Sequence, residues 1–199
     1  MIDILGSLDD KIENNELQIQ KLLELFWANY HKLLLHSEKI GKLSDIAYID
    51  SGKRPPTKES LPIDGNNIPI VGASSIMGYT NTYLYNEPIL VIGRVGTHGI
   101  IQPIHDKSYP SDNTLVIKSD YYTFCYNILR EIDYKAINKG STQPLITQTD
   151  IKNTEIIVPS KNDLLTFEKE NNMNFIFALR KENEKLNELK QLYLKKFFG

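Results

Sequence analysis

The sequence predicts an α+β chain, with one domain built on a mixed or antiparallel sheet and held between two long helices. Three observations carry this. All nine prolines and nine of the eleven glycines fall within residues 41–160, and Gly and Pro punctuate turns while being expelled from helix interiors. Residues 1–40 and 161–199 carry apolar residues at helical spacing. The middle holds short runs rich in Ile and Val that do not alternate with helices of ordinary length, which disfavours a doubly wound parallel sheet. With 199 residues and 41% hydrophobic side chains, the chain can bury a real core and does not read as disordered.

The first helix is expected across 1–40. Ser7 or Asp9 is placed to cap it, and acidic residues crowd its first turns, where the helix dipole favours them. Leu5, Leu8, Ile12, Ile19, Leu22, Phe26 and Leu33 step by three and four, and Asn15 and Asn29 fill the two remaining places of that series. This is heptad spacing with a polar residue at two seam positions, a feature that fixes register at a cost in stability. Trp27, Tyr30 and Leu34 widen the apolar face beyond a seam, which predicts packing on a further partner, such as the globular domain.

In the middle, IPIVGASS (68–75), EPILVIG (87–93), GIIQPIH (99–105), TLVIKS (114–119) and TEIIVPS (154–160) read as strands bounded by turn residues. LSDIAYI (43–49) is strand-like too. YYTFCYNILREI (121–132) fits a helical period, and TQTDIKN (147–153) reads as a capped helical turn. The last segment, 161–199, is read as one helix, with Phe175, Leu179, Leu186, Leu189 and Tyr193 on one face and Lys190, Lys195 and Lys196 suited to its C-terminal end. Neither rod can bury its stripe alone, so the pairing set is Leu8, Ile12, Ile19, Leu22 and Phe26 against Leu179, Leu186, Leu189 and Tyr193, within one chain or between two copies.

Composition excludes several function classes. One Cys leaves neither a disulfide framework nor a Cys-based zinc cage, and Cys125, among aromatics, reads as a small core residue. No run of about 18 apolar residues occurs to span a membrane, and MIDILGSLDD lacks the pattern of a signal peptide, so a cytoplasmic location is expected. The Gly93, Gly96 and Gly99 spacing in GRVGTHG differs from G-x-G-x-x-G, and a β-like run follows, so it reads as a connection between strands. No G-x-x-x-x-G-K-[ST], G-x-S-x-G or H-E-x-x-H pattern occurs. An acid-x-Lys triplet at Asp133 and Lys135 recurs at Asp9/Lys11, Asp150/Lys152 and Glu188/Lys190, as chance would have it. No catalytic constellation, metal or cofactor is expected.

What remains is a set of polar loops: SGKRPPTK (51–58); a second with Ser74, Ser75, Tyr79, Thr80 and Asn81; the Gly-rich turn with Arg94, Thr97 and His98; and Lys139, Gly140, Ser141, Thr142 and Gln143. Lys and Arg neutralise phosphates, and Arg, Asn and Gln read base edges. Lys53, Arg54 and Arg94, and after them Thr97, His98, Lys139, Ser141, Thr142 and Gln143, carry groups of these kinds, which are equally those of a solvated loop. The net charge of −2 argues against coating nucleic acid by bulk charge. It is spread unevenly: residues 1–40 carry 4 basic and 7 acidic side chains, residues 41–160 carry 11 and 12, and residues 161–199 carry 8 and 6.

Motifs along nearly the whole chain carry a resemblance: ILGSLDDKIENNELQIQKL (4–22), KLSDIAYIDSGKRPP (42–56), IPIVGASSI (68–76), ILVIGRVGTHGII (89–101), KGSTQPLITQTDIKNTEIIVPS (139–160) and KENEKLNELKQLYLKKFFG (181–199). In this order and spacing they resemble the DNA-specificity (S) subunit of type I restriction–modification enzymes, and more narrowly half of one. The resemblance implies a spacer helix at 1–40, a target recognition domain at 41–160 and a C-terminal helix at 161–199, the two helices pairing antiparallel as a coiled coil. It also implies a non-catalytic subunit that reads one half of a bipartite site in double-stranded DNA, with Lys53, Arg54 and Arg94 as first candidates for the contacts and Thr97, His98, Lys139, Ser141, Thr142 and Gln143 after them. Its helices would dock methyltransferase (M) subunits and, through them, restriction (R) subunits. The chain departs from the pattern in having one recognition domain rather than two. A C-terminal half, a short subunit that homodimerises and a truncated-gene product all fit. The alternative is a protein–protein module that competes for M or S subunits without reading DNA.

Overall fold

The computed structural model describes residues 2–96, 99–137 and 145–198. A long helix, α1 (Ile2–Leu34), leads into a short strand, β1 (Ile40–Lys42), and a 3-10 turn at Leu43–Asp45. Seven strands follow: β2 (Tyr48–Ser51), β3 (Ile68–Val71), β4 (Ile76–Thr80), β5 (Ile89–Gly93), β6 (Ile101–Ile104), β7 (Tyr109–Pro110) and β8 (Thr114–Lys118). Helices α2 (Tyr122–Glu131) and α3 (Gln148–Lys152), strand β9 (Glu155–Ile157) and helices α4 (Lys161–Glu170) and α5 (Asn174–Phe198) complete the chain. The architecture is α+β, as expected.

The main sheet has the order β2-β8-β5-β6 and is antiparallel throughout. A second sheet, β4-β3-β7, contains one parallel pair, β3 with β7, and β1 pairs with β9. Strand β5 explains its own continuous apolar run, since it is buried on both faces. Leu90 and Ile92 point into the larger core beside Leu115, Ile117, Phe124 and Leu129. Ile89 and Val91 point the other way, into a smaller core with Val71 and Val116. The period of two thus divides one strand between two cores.

The helical rod is intrachain and antiparallel. Asn15 Nδ2 donates to Asn183 Oδ1 and to Glu182 Oε2, each at 2.8 Å. Asn29 Nδ2 donates to Asn171 Oδ1 at 2.8 Å, and the Lys190 ammonium meets the Asp9 carboxylate. Positions rise along α1 as they fall along the partner segment. The seam carries Leu8, Ile12, Ile19 and Leu22, half-buried, and Phe26, buried, facing half-buried Leu179, Leu186 and Tyr193. Towards its C-terminal end α1 leaves the rod and packs on the domain. Tyr30 is buried, and its hydroxyl donates to Glu131 Oε2 at 2.7 Å. Trp27 stacks under the Arg130 guanidinium at 4.3 Å, as the widened apolar face predicted.

Several expectations are corrected. Helix α1 starts at Ile2, so Ser7 and Asp9 lie inside it rather than capping it. Residues 161–199 form two helices, because Asn171 and Asn172 turn their amides on the backbone. Asn171 Nδ2 bonds Phe167 O, closing α4, and Asn172 Oδ1 accepts from Asn174 N, opening α5. The break shifts the apolar face: Ile176 is fully buried, while Phe175 is 64% exposed. Leu189 is also exposed, on the flank of the seam, where Lys190 takes the neighbouring place against Asp9. Of LSDIAYI, the first three residues form the 3-10 turn, and Tyr79 and Thr80 belong to β4 rather than to a loop. The turn expected at 147–153 is α3, with Thr147 and Asp150 in a reciprocal capping box.

Candidate nucleic-acid interface

Three of the expected contact residues are gathered by the topology of the main sheet. Strands β2 and β5 run alike on either side of β8, so their C-terminal ends lie beside its N-terminal end. Lys53 and Arg54 follow the end of β2, and Arg94 follows the end of β5. Two strand spacings separate them, roughly 10 Å of backbone, close to the ~12 Å width of a DNA major groove.

The loop after β2 is fastened by its backbone. Gly52 N donates to Thr114 O at 3.1 Å, and Lys53 N donates to Pro110 O at 3.0 Å. A Cβ on Gly52 would meet Ser111 O at 2.1 Å, so only glycine permits this approach. Tyr109 donates its hydroxyl to Arg54 O at 3.0 Å. The backbone is therefore held while the Lys53 and Arg54 side chains are exposed. Arg94 is held the same way, its N–H donating to Asn113 O and its carbonyl accepting from Ile146 N. Its side chain is half-buried, and Nε is buried without a hydrogen-bond partner among the described residues. Such a group carries a desolvation cost of about 1–3 kcal/mol.

The cations here differ from many of those elsewhere. Lys118 pairs with Glu87 at 2.7 Å, Lys11 with Glu182 at 3.5 Å and Lys190 with Asp9, and Arg130 covers Trp27. Among the described residues no ion pair or hydrogen bond engages the side chains of Lys53, Arg54 or Arg94. Chemically, this end of the sheet can neutralise phosphates from two anchored loops.

Thr97, His98, Lys139, Ser141, Thr142 and Gln143 lie outside the described residues. The segments that border them do converge on the same end, since Val95 bridges Leu145. The glycine-rich connection joins the antiparallel pair β5 and β6, with Gly96 and Gly99 at φ values of 79° and 81°, as a strand connection requires. The sequence reading missed one segment. The turn at 111–114, with Thr114 N on Ser111 O at 3.0 Å, enters β8 between the two basic loops. Its Ser-Asp-Asn run was a legible turn signal.

Elsewhere, the titratable groups read as structural. Burial pushes the Cys125 thiol up to about 12, leaving it protonated and unreactive. Burial also raises Glu168 from 4.5 to about 7, although it accepts hydrogen bonds from Thr123 N and Phe124 N at the start of α2. It borders a groove of about 1050 Å³ shared by Tyr48, Tyr122 and Phe177. Among the described residues no group of three or more His, Cys, Asp or Glu is placed to hold a metal, and no helix is long and apolar enough to cross a membrane.

Comparison with known proteins places this geometry. The family model described as "Type I restriction modification DNA specificity domain" matches residues 38–192. Comparison with curated proteins gave no match. Among solved structures, the type I restriction-modification system S subunit from M. genitalium is similar over 99% of this chain, with a TM-score of 0.63 at 15% identity. A chain from a structure describing complex assembly and conformational transition of the type I R-M system is similar over 98%, with a TM-score of 0.52 at 13% identity. In each case the chain spans 57% of the length of the protein it matches. With the family model covering well over half of the sequence and the fold shared with S subunits, the chain belongs to the type I restriction modification DNA specificity domain family.

Proposed function

We propose that this chain is the non-catalytic DNA-reading component of a type I restriction–modification complex. Residues 41–160 form its target recognition domain, and 1–40 and 161–199 form its spacer and docking helices. The observation that carries this reading is the pair of anchored basic loops at one end of the main sheet. Among the described residues, the side chains of Lys53, Arg54 and Arg94 have no hydrogen-bond or ion-pair partner there, on a chain of this family. Phosphate contacts from these cations position the duplex, and the polar side chains of the same end read base edges. One domain reads one half-site. The rod docks methyltransferase subunits, which bring restriction subunits with them, and a homodimer joined through the helices would present two domains to a palindromic bipartite target.

The test is Arg94→Ala in the complex with methyltransferase subunits. Its backbone bonds to Asn113 and Ile146 do not need the side chain, so the fold persists. DNA binding is expected to weaken, and the slope of log K against log salt to shrink in magnitude by about 0.9, the value of one neutralised phosphate. Unchanged target methylation and an unchanged slope would overturn the assignment. Methyltransferase binding without any DNA selection by the wild type would favour a competitor module instead.

A further inference from the structure

The turn that enters β8 has a composition and setting that solvation alone does not explain. Ser111 N bonds Val71 O at 2.9 Å, and Thr114 closes the turn on Ser111 O with both its N–H, at 3.0 Å, and its hydroxyl, at 2.7 Å. On one side, Gly52 and Lys53 bond the carbonyls of Thr114 and Pro110, and on the other Arg94 bonds the carbonyl of Asn113. One rigid turn therefore holds both basic loops in register, while its two central side chains, Asp112 and Asn113, are exposed. Neither side chain has a hydrogen bond or ion pair among the described residues. Of the four buried side-chain polar atoms without partners there, two, Arg94 Nε and Ser111 Oγ, are at this spot.

The geometry points to Asp112 and Asn113 as base-reading residues set between phosphate-binding cations, an inference that rests on the function proposed above. A carboxylate repels phosphates, so an exposed Asp set between two basic loops is best matched in duplex DNA by a donor on a base edge, and the cytosine N4 amino group is one. An Asn amide offers one donor and one acceptor side by side, which matches adenine N6 and N7. The cations hold the backbone at the flanks, and the turn, centred between them, meets the groove floor. Specificity at one or two adjacent base pairs is thereby assigned to a tip whose backbone cannot drift, because three neighbouring segments are bonded to it.

The experiment is selection from a randomised duplex library by the chain assembled with methyltransferase subunits, for wild type, Asn113→Ala and Asp112→Ala. Thermal melts check that the fold persists. The wild type is expected to select a motif, and each variant to lose discrimination by about tenfold or more at one or two adjacent positions only, with an unchanged salt slope because the same phosphates stay neutralised. A wild-type motif recovered unchanged by both variants would overturn the inference and leave the proposed function standing. Failure of the wild type to select any motif would overturn both.

Discussion

Glu168 belongs to α4 but serves α2. Helix α2 opens without a side-chain cap from Tyr121, and the Glu168 carboxylate supplies the missing acceptors, bonding Phe124 N at 2.7 Å and Thr123 N at 3.0 Å. Burial outweighs these bonds and lifts its pKa from 4.5 to about 7. The folded state therefore holds a proton that the unfolded chain releases between these values, and the stabilisation is full below 4.5 and lost as pH rises through about 7. An upper bound on that loss is about 3 kcal/mol. Urea unfolding of wild type and Glu168→Gln at pH 5 and pH 8 should show a smaller pH dependence in the variant, and equal slopes would show that the carboxylate does not titrate in this range. At this scale the sequence was a poor guide. A Glu in an amphipathic helix reads as solvated, and nothing local announces that a second helix start lies over it. Arg94 was legible as a cation in a turn, but its unpartnered Nε is a fact of packing.

The rod shows how much a seam can say. Asn15 and Asn29 were identifiable as polar breaks in a heptad series, and the structure gives Asn15 counterparts on α5 and Asn29 one in the turn between α4 and α5, so amide contacts help set the register. Their energetics differ. Asn171, which accepts from Asn29, is 1% exposed, so Asn29→Leu strands a buried acceptor and is expected to cost about 1–3 kcal/mol. Glu182 and Asn183 are half-buried and can return to water, and Asn15 Oδ1 is itself unpartnered among the described residues, so Asn15→Leu is expected to be neutral or stabilising. The denaturation midpoint of Asn29→Leu should fall while that of Asn15→Leu holds or rises, and equal destabilisation would contradict this account. The interruption at Asn171 and Asn172 was less legible, since Asn pairs occur in helices and only side-chain bonds to the local backbone turn these two into a stop and a start.

For the whole molecule, net charge mattered less than its placement. The acidic excess of residues 1–40 is partly offset along the rod by the basic excess of residues 161–199, whereas Lys53, Arg54 and Arg94, proposed to meet DNA, lie at one end of the main sheet. On that proposal few phosphates would be contacted from there, so the chain alone is expected to bind duplex DNA weakly and to depend on partner subunits for affinity. A salt titration of the isolated chain by fluorescence anisotropy should give a slope of about −3 to −4, for Lys53, Arg54, Arg94 and Lys139. A slope near about −10 would indicate a much larger basic surface. Pairing of α1 with α5 inside one chain also covers the seam without a second copy, so the proposed homodimer would have to join through helix faces outside that seam.

The sequence by itself determined the fold class, the helix–domain–helix layout, most of the strands and the two polar seam positions. These follow from periodicity and from where Gly and Pro are tolerated, and both are local properties of the chain. Only the tertiary structure decided which residues meet. Lys53 and Arg94 are 41 positions apart in sequence and become neighbours because β8 is inserted between β2 and β5. The turn at 111–114 acquires its central place for the same reason. Strand order is set by how two cores are packed against opposite faces of β5, a balance of burial over the whole domain that no single segment records.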